Sequence, residues 1–229
     1  MADVEDGAGP AAVAATELPT PATPWRRGSV GDRGFPDAYL HLPVREAARA
    51  LLGAVLESTM GDKRVSGVIV ETEAYDGPND PASHAATVAG PTRRNRAMFG
   101  PPGRAYVYRS YGVHWCMNVV TGPIGRPQAV LVRGLDPLEG DAVMLGRRGG
   151  KRPLTSGPGR LCAALGITDA LYGHDLREPP LVLRAGWSVD DDVVGVSVRV
   201  GVTKAADWPC RFYVRGSTAV SRPDGWGAI

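Results

Sequence analysis

The sequence predicts an α+β fold, in which a mostly antiparallel or mixed β-sheet packs against a few helices. Short segments with the alternating or apolar pattern of strands outnumber the segments with helical spacing. The helical segments do not alternate with strands in the βαβ order that builds a parallel sheet. With 229 residues, the chain has the length of one domain with a sizeable buried core.

Residues 1–36 are predicted to form a disordered tail, and residues 37–229 the folded domain. The tail is rich in Ala, Pro, Gly and Thr and shows no period. It therefore carries too few apolar residues to offset the entropy that ordering would cost. An arm that binds a partner is the alternative interpretation of this composition.

The folded domain is predicted to begin with a helix over residues 43–52. Apolar residues recur there at helical spacing, and Gly53 follows. Residues 54–58 and 64–74 then have the composition of two strands, joined by a short turn at residues 60–62.

A long loop and a hairpin follow. Residues 76–102 are rich in Pro, Gly, Asn and Asp, and loops of this length in a compact domain are often functional. Residues 104–109 and 113–121 predict a hairpin with Tyr111 at its tight turn. An aromatic side chain at such a tip cannot easily pack in the core, and it can wedge between base pairs. The remaining predicted elements are strands at 128–134, 193–202 and 211–215 and helices at 138–148 and 160–165.

Charge is divided unevenly along the chain. The net charge is +2, but residues 1–24 contain four acidic residues and no Lys or Arg. The remainder therefore carries 26 basic and 20 acidic residues, which suits a polyanionic partner without requiring one. Only three of the basic residues are Lys. The preference for Arg suits planar phosphate and base contacts, and coding bias explains it equally well.

The three cysteines, Cys116, Cys162 and Cys210, are far apart, and no CxxC or zinc-like Cys/His spacing occurs. We expect reduced, mostly buried thiols in a cytoplasmic protein that uses no metal or other cofactor. We find no secretory segment or long apolar run, so we expect neither export nor membrane spanning.

Two glutamates continue the apolar run of the second predicted strand. Period-two alternation puts Glu71 and Glu73 on the same face. Solvation is the usual state of a glutamate at a strand end. A carboxylate with restricted hydration, next to the apolar residues 68–70, can instead serve as a general base.

Candidate binding side chains lie on the long loop and on the hairpin. His84 is either a surface histidine or a pocket residue whose ring or main chain bonds a ligand. Arg93, Arg94 and Arg96, beside Asn95, form either a solvated charge cluster or a phosphate clamp. Asn118 lies in mid-strand, where a buried amide needs partners and can read the edge of a base.

Several motifs occur in an order that resembles the alkyladenine DNA glycosylase family, the 3-methyladenine DNA glycosylases of that type. The motifs are ETEAY (71–75), ASH (82–84), RNRAMF (94–99), AYVYRSYG (105–112), CMN (116–118), VRGLDPLEG (132–140), SGPGRLCAALG (156–166) and RFYVRGS (211–217). The match covers roughly residues 37–222. The resemblance implies a single-domain fold with a curved, mostly antiparallel sheet, flanking helices and a protruding β-hairpin. It also implies base flipping and a metal-free hydrolysis.

The resemblance implies roles for the matching side chains in the pocket. Glu73 corresponds to the general base that activates water, and Arg133 lies close to that water. Tyr75 and Tyr108 correspond to aromatic rings that stack on the flipped base, and His84 to a residue that hydrogen-bonds it.

Two further positions match residues that face the duplex. Asn118 corresponds to a residue that tests or excludes a guanine amino group. Tyr111 corresponds to the wedge that fills the gap left by the flipped base. Val113 and His114 depart from the bulkier apolar and aromatic residues familiar after this turn, which leaves the neighbouring minor-groove contacts open.

The expected activity is base-excision repair on double-stranded DNA that contains an alkylated purine such as 3-methyladenine. Such a purine carries positive charge and leaves readily, so the enzyme must supply an extrahelical pocket, a positioned water and electrostatic support for the sugar. Aromatic walls favour a cationic ring. The product is an abasic site. Because no lysine is expected near the pocket, we predict a monofunctional glycosylase. We expect a monomer, since nothing in the sequence indicates a self-complementary surface, and association with the nucleoid if the protein is bacterial.

Two other classes of protein stay open at this point. A non-catalytic module that binds damaged DNA would keep Tyr111 and the arginines without needing Glu73 or Arg133. An enzyme of formyl or nucleotide metabolism, where a domain similar to the glycosylase fold is found, would bind free nucleotide and need no wedge. Dependence on duplex DNA separates this last class from a glycosylase.

Overall fold

The computed structural model describes residues 34–86 and 90–222. The predicted tail lies outside the described residues except for positions 34–36, and residues 87–89 and 223–229 lie outside them as well. The described helices are α1 (Asp37–Leu40), α2 (Val44–Ala50), α3 (Asp141–Arg147) and α4 (Pro158–Leu165). The described strands are β1 (Val55–Ser58), β2 (Val65–Tyr75), β3 (Ala105–Ser110), β4 (His114–Thr121), β5 (Gln128–Glu139), β6 (Leu181–Arg184), β7 (Val194–Ser197) and β8 (Arg211–Val214). No helix among these residues is long and apolar enough to cross a lipid bilayer.

The strands form one open sheet with the order β3-β4-β5-β2-β1-β6, and β8 and β7 extend it from the second half of β2. Every pairing between the named strands is antiparallel. The helices lie outside any βαβ order. The predicted α+β fold with a mostly antiparallel sheet is confirmed.

The sheet is organised around β2. On one side β2 pairs with β5 along its length. On the other side, residues 65–68 pair with β1 and residues 71–73 pair with β8. The sheet therefore forks between these two segments. The strand is buried from Val65 through Ala74, which explains its continuous apolar run and shields both of its glutamates from solvent.

The helices cover this sheet and form the main apolar core with it. α2 packs on β2, where Thr72 Oγ1 donates a hydrogen bond to the Ala48 carbonyl at 2.8 Å. α4 packs on β4 and β5. A second, smaller cluster of apolar residues around Met98 and Tyr106 lies under the long loop, beside the site described below.

Two predicted elements differ from the structure. The helix predicted over residues 138–148 begins only at Asp141, because β5 continues through Glu139 and pairs with the first half of β2. The intervening Gly140 adopts φ 86°, which turns the chain from strand to helix. Close approach at Gly67 permits this pairing, since a Cβ there would lie 3.0 Å from Leu135 Cβ.

The strand predicted over residues 193–202 contains only Val194–Ser197. It ends early because Arg199 turns out of the sheet to form a buried ion pair with Asp80. β6 was not predicted: its four residues are too short to show a period, and pairing with β1 defines it. The helix predicted over residues 43–52 is present as α2, with its ends shifted by one or two residues.

The predicted hairpin of β3 and β4 is confirmed, with a register from Ala105↔Val119 to Ser110↔His114. At its turn, Tyr111 and Gly112 both have positive φ, 48° and 68°. The left-handed region costs a non-glycine residue about 1–2 kcal/mol, and the Tyr111 side chain is also 89% exposed. A bulky aromatic side chain in such a place contributes nothing to the core, so a role for Tyr111 must lie in what the hairpin tip contacts.

Candidate active site

A cavity of about 710 Å³ opens beside the hairpin and the end of β2. Its size suits a ligand such as a nucleobase with part of its sugar. Seven of the predicted site residues line it: Tyr75, His84, Arg94, Tyr108, Tyr111, Asn118 and Arg133. Arg96 is not among the lining residues; its guanidinium lies 5.9 Å from the centre of the Tyr172 ring instead.

Glu73 lies directly behind the cavity wall and is fully buried. Its Oε2 accepts hydrogen bonds from the Tyr75 hydroxyl at 2.9 Å and from Arg133 Nη1 at 3.2 Å. Its Oε1 accepts one from the backbone N–H of Val200 at 2.6 Å. A carboxylate offers about four acceptor positions, and these contacts fill two on Oε2 and one on Oε1, so no hydrogen bond among the described residues fills the second position on Oε1.

Glu71 forms a second buried carboxylate on the same side of β2, as the alternation predicted. It accepts from Arg211 Nε at 2.7 Å, from Arg133 Nε at 3.2 Å, and from the backbone N–H and hydroxyl of Ser221 at 2.6 and 2.8 Å. Burial acts to raise the pKa of Glu71, but the charges of Arg133 and Arg211 outweigh burial and hold the pKa below its usual value. Two carboxylates and two guanidiniums thus neutralise one another inside the sheet.

Arg133 joins the two glutamates and faces the cavity. Burial acts to lower the pKa of this guanidinium, but the charges of Glu73 and Glu71 raise it above its usual value. Burial also raises the pKa of the Tyr75 hydroxyl, and the charge of Glu73 raises it further. Tyr75 therefore remains a hydrogen-bond donor to Glu73, and Arg133 remains a cation.

Aromatic side chains form the wall of the cavity. The rings of His84 and Tyr108 meet edge to face, with centroids 4.5 Å apart. His84 Nδ1 lies 2.8 Å from the Tyr106 hydroxyl. Burial, assisted by the charge of Arg94, lowers the pKa of His84 to about 4. His84 is therefore neutral at pH 7.

The amide of Asn118 is held at the cavity by its cross-strand neighbour. Nδ2 of Asn118 donates to the backbone carbonyl of Tyr106 at 2.9 Å, and the two residues are opposite each other in the β3–β4 ladder. Asn118 is buried and lines the cavity. Its orientation is thus fixed by the sheet itself.

One expectation about the site is wrong: a lysine does line the cavity. Lys204 comes from the segment after β7, together with Val200 and Gly201. The sequence places this lysine 131 positions after Glu73, and only the return of the chain along β7 and β8 brings the two near one another. The three cysteines are buried, as expected. Within the described residues, no group of three or more His, Cys, Asp or Glu side chains is arranged to hold a metal ion.

Comparison with known proteins now decides the family. A family model described as methylpurine-DNA glycosylase matches residues 38–218. The chain belongs to this family. The resemblance inferred from the motifs is confirmed.

Curated relatives align with this chain over most of their length. A protein of Granulibacter bethesdensis is 48% identical over 196 residues, 84% of this chain and 89% of the relative. A protein of Nitrosospira multiformis is 49% identical over 180 residues, 78% and 89% of the two chains. A protein of Methanoculleus marisnigri is 47% identical over 193 residues, 82% and 98%. All three are provisionally named 3-methyladenine DNA glycosylases.

In this member of the methylpurine-DNA glycosylase family, sequence reasoning missed several residues that support the site. Tyr106 was not among the predicted site residues, yet it lines the cavity and contacts His84. Its spacing of two from Tyr108 places both rings on one face of β3 and was a usable signal. Arg211 and Ser221 gave no such signal, because their contacts with Glu71 depend on long-range packing.

Proposed function

We propose that this protein is a DNA-repair glycosylase that flips alkylated purines such as 3-methyladenine out of duplex DNA and hydrolyses the N-glycosidic bond. One observation carries the proposal: the buried Glu73–Arg133 pair lies directly behind an aromatic cavity, in a chain of the methylpurine-DNA glycosylase family. The names of the relatives agree with this activity.

The cavity suits a cationic purine. Tyr75 and Tyr108 line the cavity, and aromatic rings attract an electron-poor, positively charged base. His84 is neutral because burial lowers its pKa to about 4, so it does not repel that charge. Asn118, fixed by Tyr106, presents its amide to the edge of the base and would discriminate against an unwanted exocyclic group.

The proposed hydrolysis needs one water and no general acid. The water donates a hydrogen bond to the open acceptor position of Glu73, and its oxygen attacks C1′ of the sugar. The N-glycosidic bond breaks with its electron pair going to the purine nitrogen, which cancels the positive charge of the alkylated base. Glu73 takes the proton of the water. The negative charge of Glu73 also supports the oxocarbenium-like sugar as the bond breaks.

Flipping requires that the space left in the duplex be filled. Tyr111 is exposed at the hairpin tip and lines the same cavity, so it lies next to the position of an extruded base. A wedge at this place compensates part of the unstacking energy. Arg94 and Arg96 are exposed on the adjacent loop and are proposed to contact the phosphate backbone.

The test is release of 3-methyladenine from methylated duplex DNA by the wild type, by Glu73→Gln and by Glu57→Gln as a control. Glu57 is a buried glutamate of β1 that pairs with Arg64 and Arg184 and does not line the cavity. We expect Glu73→Gln to lose about 100-fold or more in rate and Glu57→Gln to retain its rate. Equal release by the wild type and Glu73→Gln would remove the mechanism. No release by the wild type, with tight binding to an abasic-site analogue, would replace the glycosylase by a damage-binding module.

We also propose that the glycosylase is monofunctional. The buried Glu73–Arg133 pair supports activation of a water, and Lys204 is an exposed residue of the rim. Borohydride trapping tests the proposal directly: a stable covalent adduct between the wild type and DNA would show an imine intermediate and overturn it.

A further inference from the structure

The mouth of the cavity carries an excess of positive charge. Arg94, Arg109 and Lys204 line it, and no Asp or Glu among the described residues does. Within the described part of the chain, none of these three cations has a carboxylate within salt-bridge distance. Arg133, the remaining cation of the cavity, is neutralised by Glu71 and Glu73. The uncompensated charge therefore lies at the rim, where it attracts anions.

The three rim cations differ in their contacts. The Arg94 guanidinium lies 5.6 Å from the centre of the Tyr108 ring, and the Arg109 guanidinium lies 5.6 Å from the centre of the Trp115 ring. Lys204 is exposed, and among the described residues no hydrogen bond, ion pair or ring contact engages its ammonium group. Lys204 is therefore the rim cation whose charge is most available to a ligand.

The segment that carries Lys204 is held in place by buried contacts. Arg199 forms a buried ion pair with Asp80 and donates to the carbonyl of Ala205 at 3.5 Å. The next residue, Val200, donates its backbone N–H to Glu73. The segment is thus anchored immediately before and immediately after the turn that presents Lys204. Its position at the rim is coupled to the proposed catalytic carboxylate.

We propose that Lys204 is a phosphate-binding residue that holds the DNA backbone beside the extruded nucleotide. This inference rests on the proposed function. When a base occupies the cavity, its sugar lies at the mouth and the flanking phosphates lie at the rim. A lysine ammonium binds phosphate as a point charge. By holding the flanking phosphate, Lys204 fixes the sugar on the side of the cavity where Glu73 lies. Glu73 itself anchors the segment that carries Lys204.

The experiment measures the salt dependence of DNA binding by the full chain. The probe is a labelled duplex with one tetrahydrofuran abasic analogue, titrated at several NaCl concentrations from about 50 to 200 mM. The variants are Lys204→Ala, Lys204→Arg and the control Lys151→Ala, whose lysine is exposed and does not line the cavity. Thermal unfolding of each variant reports the integrity of the fold.

Loss of one phosphate contact reduces the slope of log K against log [salt] by about 1. For Lys204→Ala, we expect this reduced slope, so the ratio of wild-type affinity to Lys204→Ala affinity should fall about fourfold between about 50 and 200 mM NaCl. Lys204→Arg should restore the slope, and Lys151→Ala should match the wild type. Identical slopes for the wild type and Lys204→Ala would overturn the inference. So would a borohydride-trapped adduct that the wild type forms and Lys204→Ala does not, since Lys204 would then be a nucleophile.

The outcomes separate this inference from the proposed function. If the wild type releases base and the slope of Lys204→Ala is unchanged, only the phosphate contact is wrong. If the slope changes and the wild type releases no base, Lys204 is a phosphate ligand of a binding module, and the proposed glycosylase function is wrong.

Discussion

Arg133 and Glu73 form a buried ion pair behind the cavity, with Nη1 of Arg133 3.2 Å from Oε2 of Glu73. Nε of the same guanidinium donates to Glu71. One cation therefore fixes the positions of two carboxylates on β2, and only one of these carboxylates adjoins the cavity wall. This division agrees with the proposed role of Glu73 as the base, with Glu71 held by the same guanidinium.

Replacing Arg133 by Met should destabilise the protein by about 3–5 kcal/mol, because the change leaves buried carboxylates without their shared partner. It should also slow 3-methyladenine release by about 100-fold at temperatures where the variant is folded. Urea unfolding and single-turnover release measure the two effects. Arg64→Met is the control: Arg64 pairs with glutamates while its side chain is 56% exposed, so its loss should cost no more than about 1 kcal/mol. Equal costs for the two variants would contradict the prediction.

Glu71→Gln should change how stability depends on pH. The folded pKa of Glu71 lies below its usual value of 4.5, so its carboxylate stabilises the fold above that pH. This stabilisation disappears as the pH falls through the folded pKa. The free energy of unfolding of the wild type should therefore exceed that of Glu71→Gln at pH 7, and the gap should narrow below about pH 4.5. A gap that stays constant down to pH 3.5 in urea titrations would be inconsistent with this account.

His84→Gln should act in a higher pH range. The folded pKa of His84 is about 4, against a usual 6.5, so between these values the unfolded chain takes up a proton that the folded chain excludes. Acidification from pH 6.5 therefore destabilises the wild type through His84. His84→Gln lacks this effect. As the pH falls from 7 to 5, the free energy of unfolding of the wild type should therefore decrease more than that of His84→Gln. The prediction fails if both proteins lose stability in parallel.

Tyr111→Gly should separate stability from activity. Tyr111 adopts φ 48°, where glycine is not strained, and its exposed ring adds nothing to the core. The variant should be as stable as the wild type or more stable by about 1 kcal/mol, while base release from duplex DNA decreases. Tyr111→Ala provides the comparison, since it removes the ring but keeps the strain. Both variants should lose activity equally, and Tyr111→Gly should have a higher Tm than Tyr111→Ala. Unchanged activity in both variants would exclude a wedge.

Local rules of sequence predicted the parts of the site that lie on regular structure. Alternation placed Glu71 and Glu73 on one side of β2, and the turn residues predicted the β3–β4 hairpin, whose register in the structure places Asn118 opposite Tyr106. Composition also predicted a strand at residues 64–74, and its apolar run at 68–70 indicated restricted hydration of the glutamates. These features depend on neighbours within a few residues or across one turn.

Long-range packing determined the rest. Arg211 lies 140 positions from the carboxylate that it binds, and Arg199 lies 119 positions from Asp80. No periodicity in the sequence connects such pairs. The strand predicted over residues 193–202 therefore ran past the end of β7, and Lys204 was not expected near the pocket. The same limitation explains the helix predicted over residues 138–148, where pairing with β2 keeps the chain extended through Glu139.

The fork in the sheet has a consequence for dynamics. Residues 71–73 of β2 lie between β5 on one side and β8 on the other, so exposing their backbone requires that two neighbouring strands detach together. Such segments exchange their amide hydrogens last, through global unfolding rather than local opening. The proposed base therefore belongs to the most persistent part of the molecule. On heating, activity should therefore be lost at the same temperature as the fold. The carboxylate site should not be lost by itself at a lower temperature.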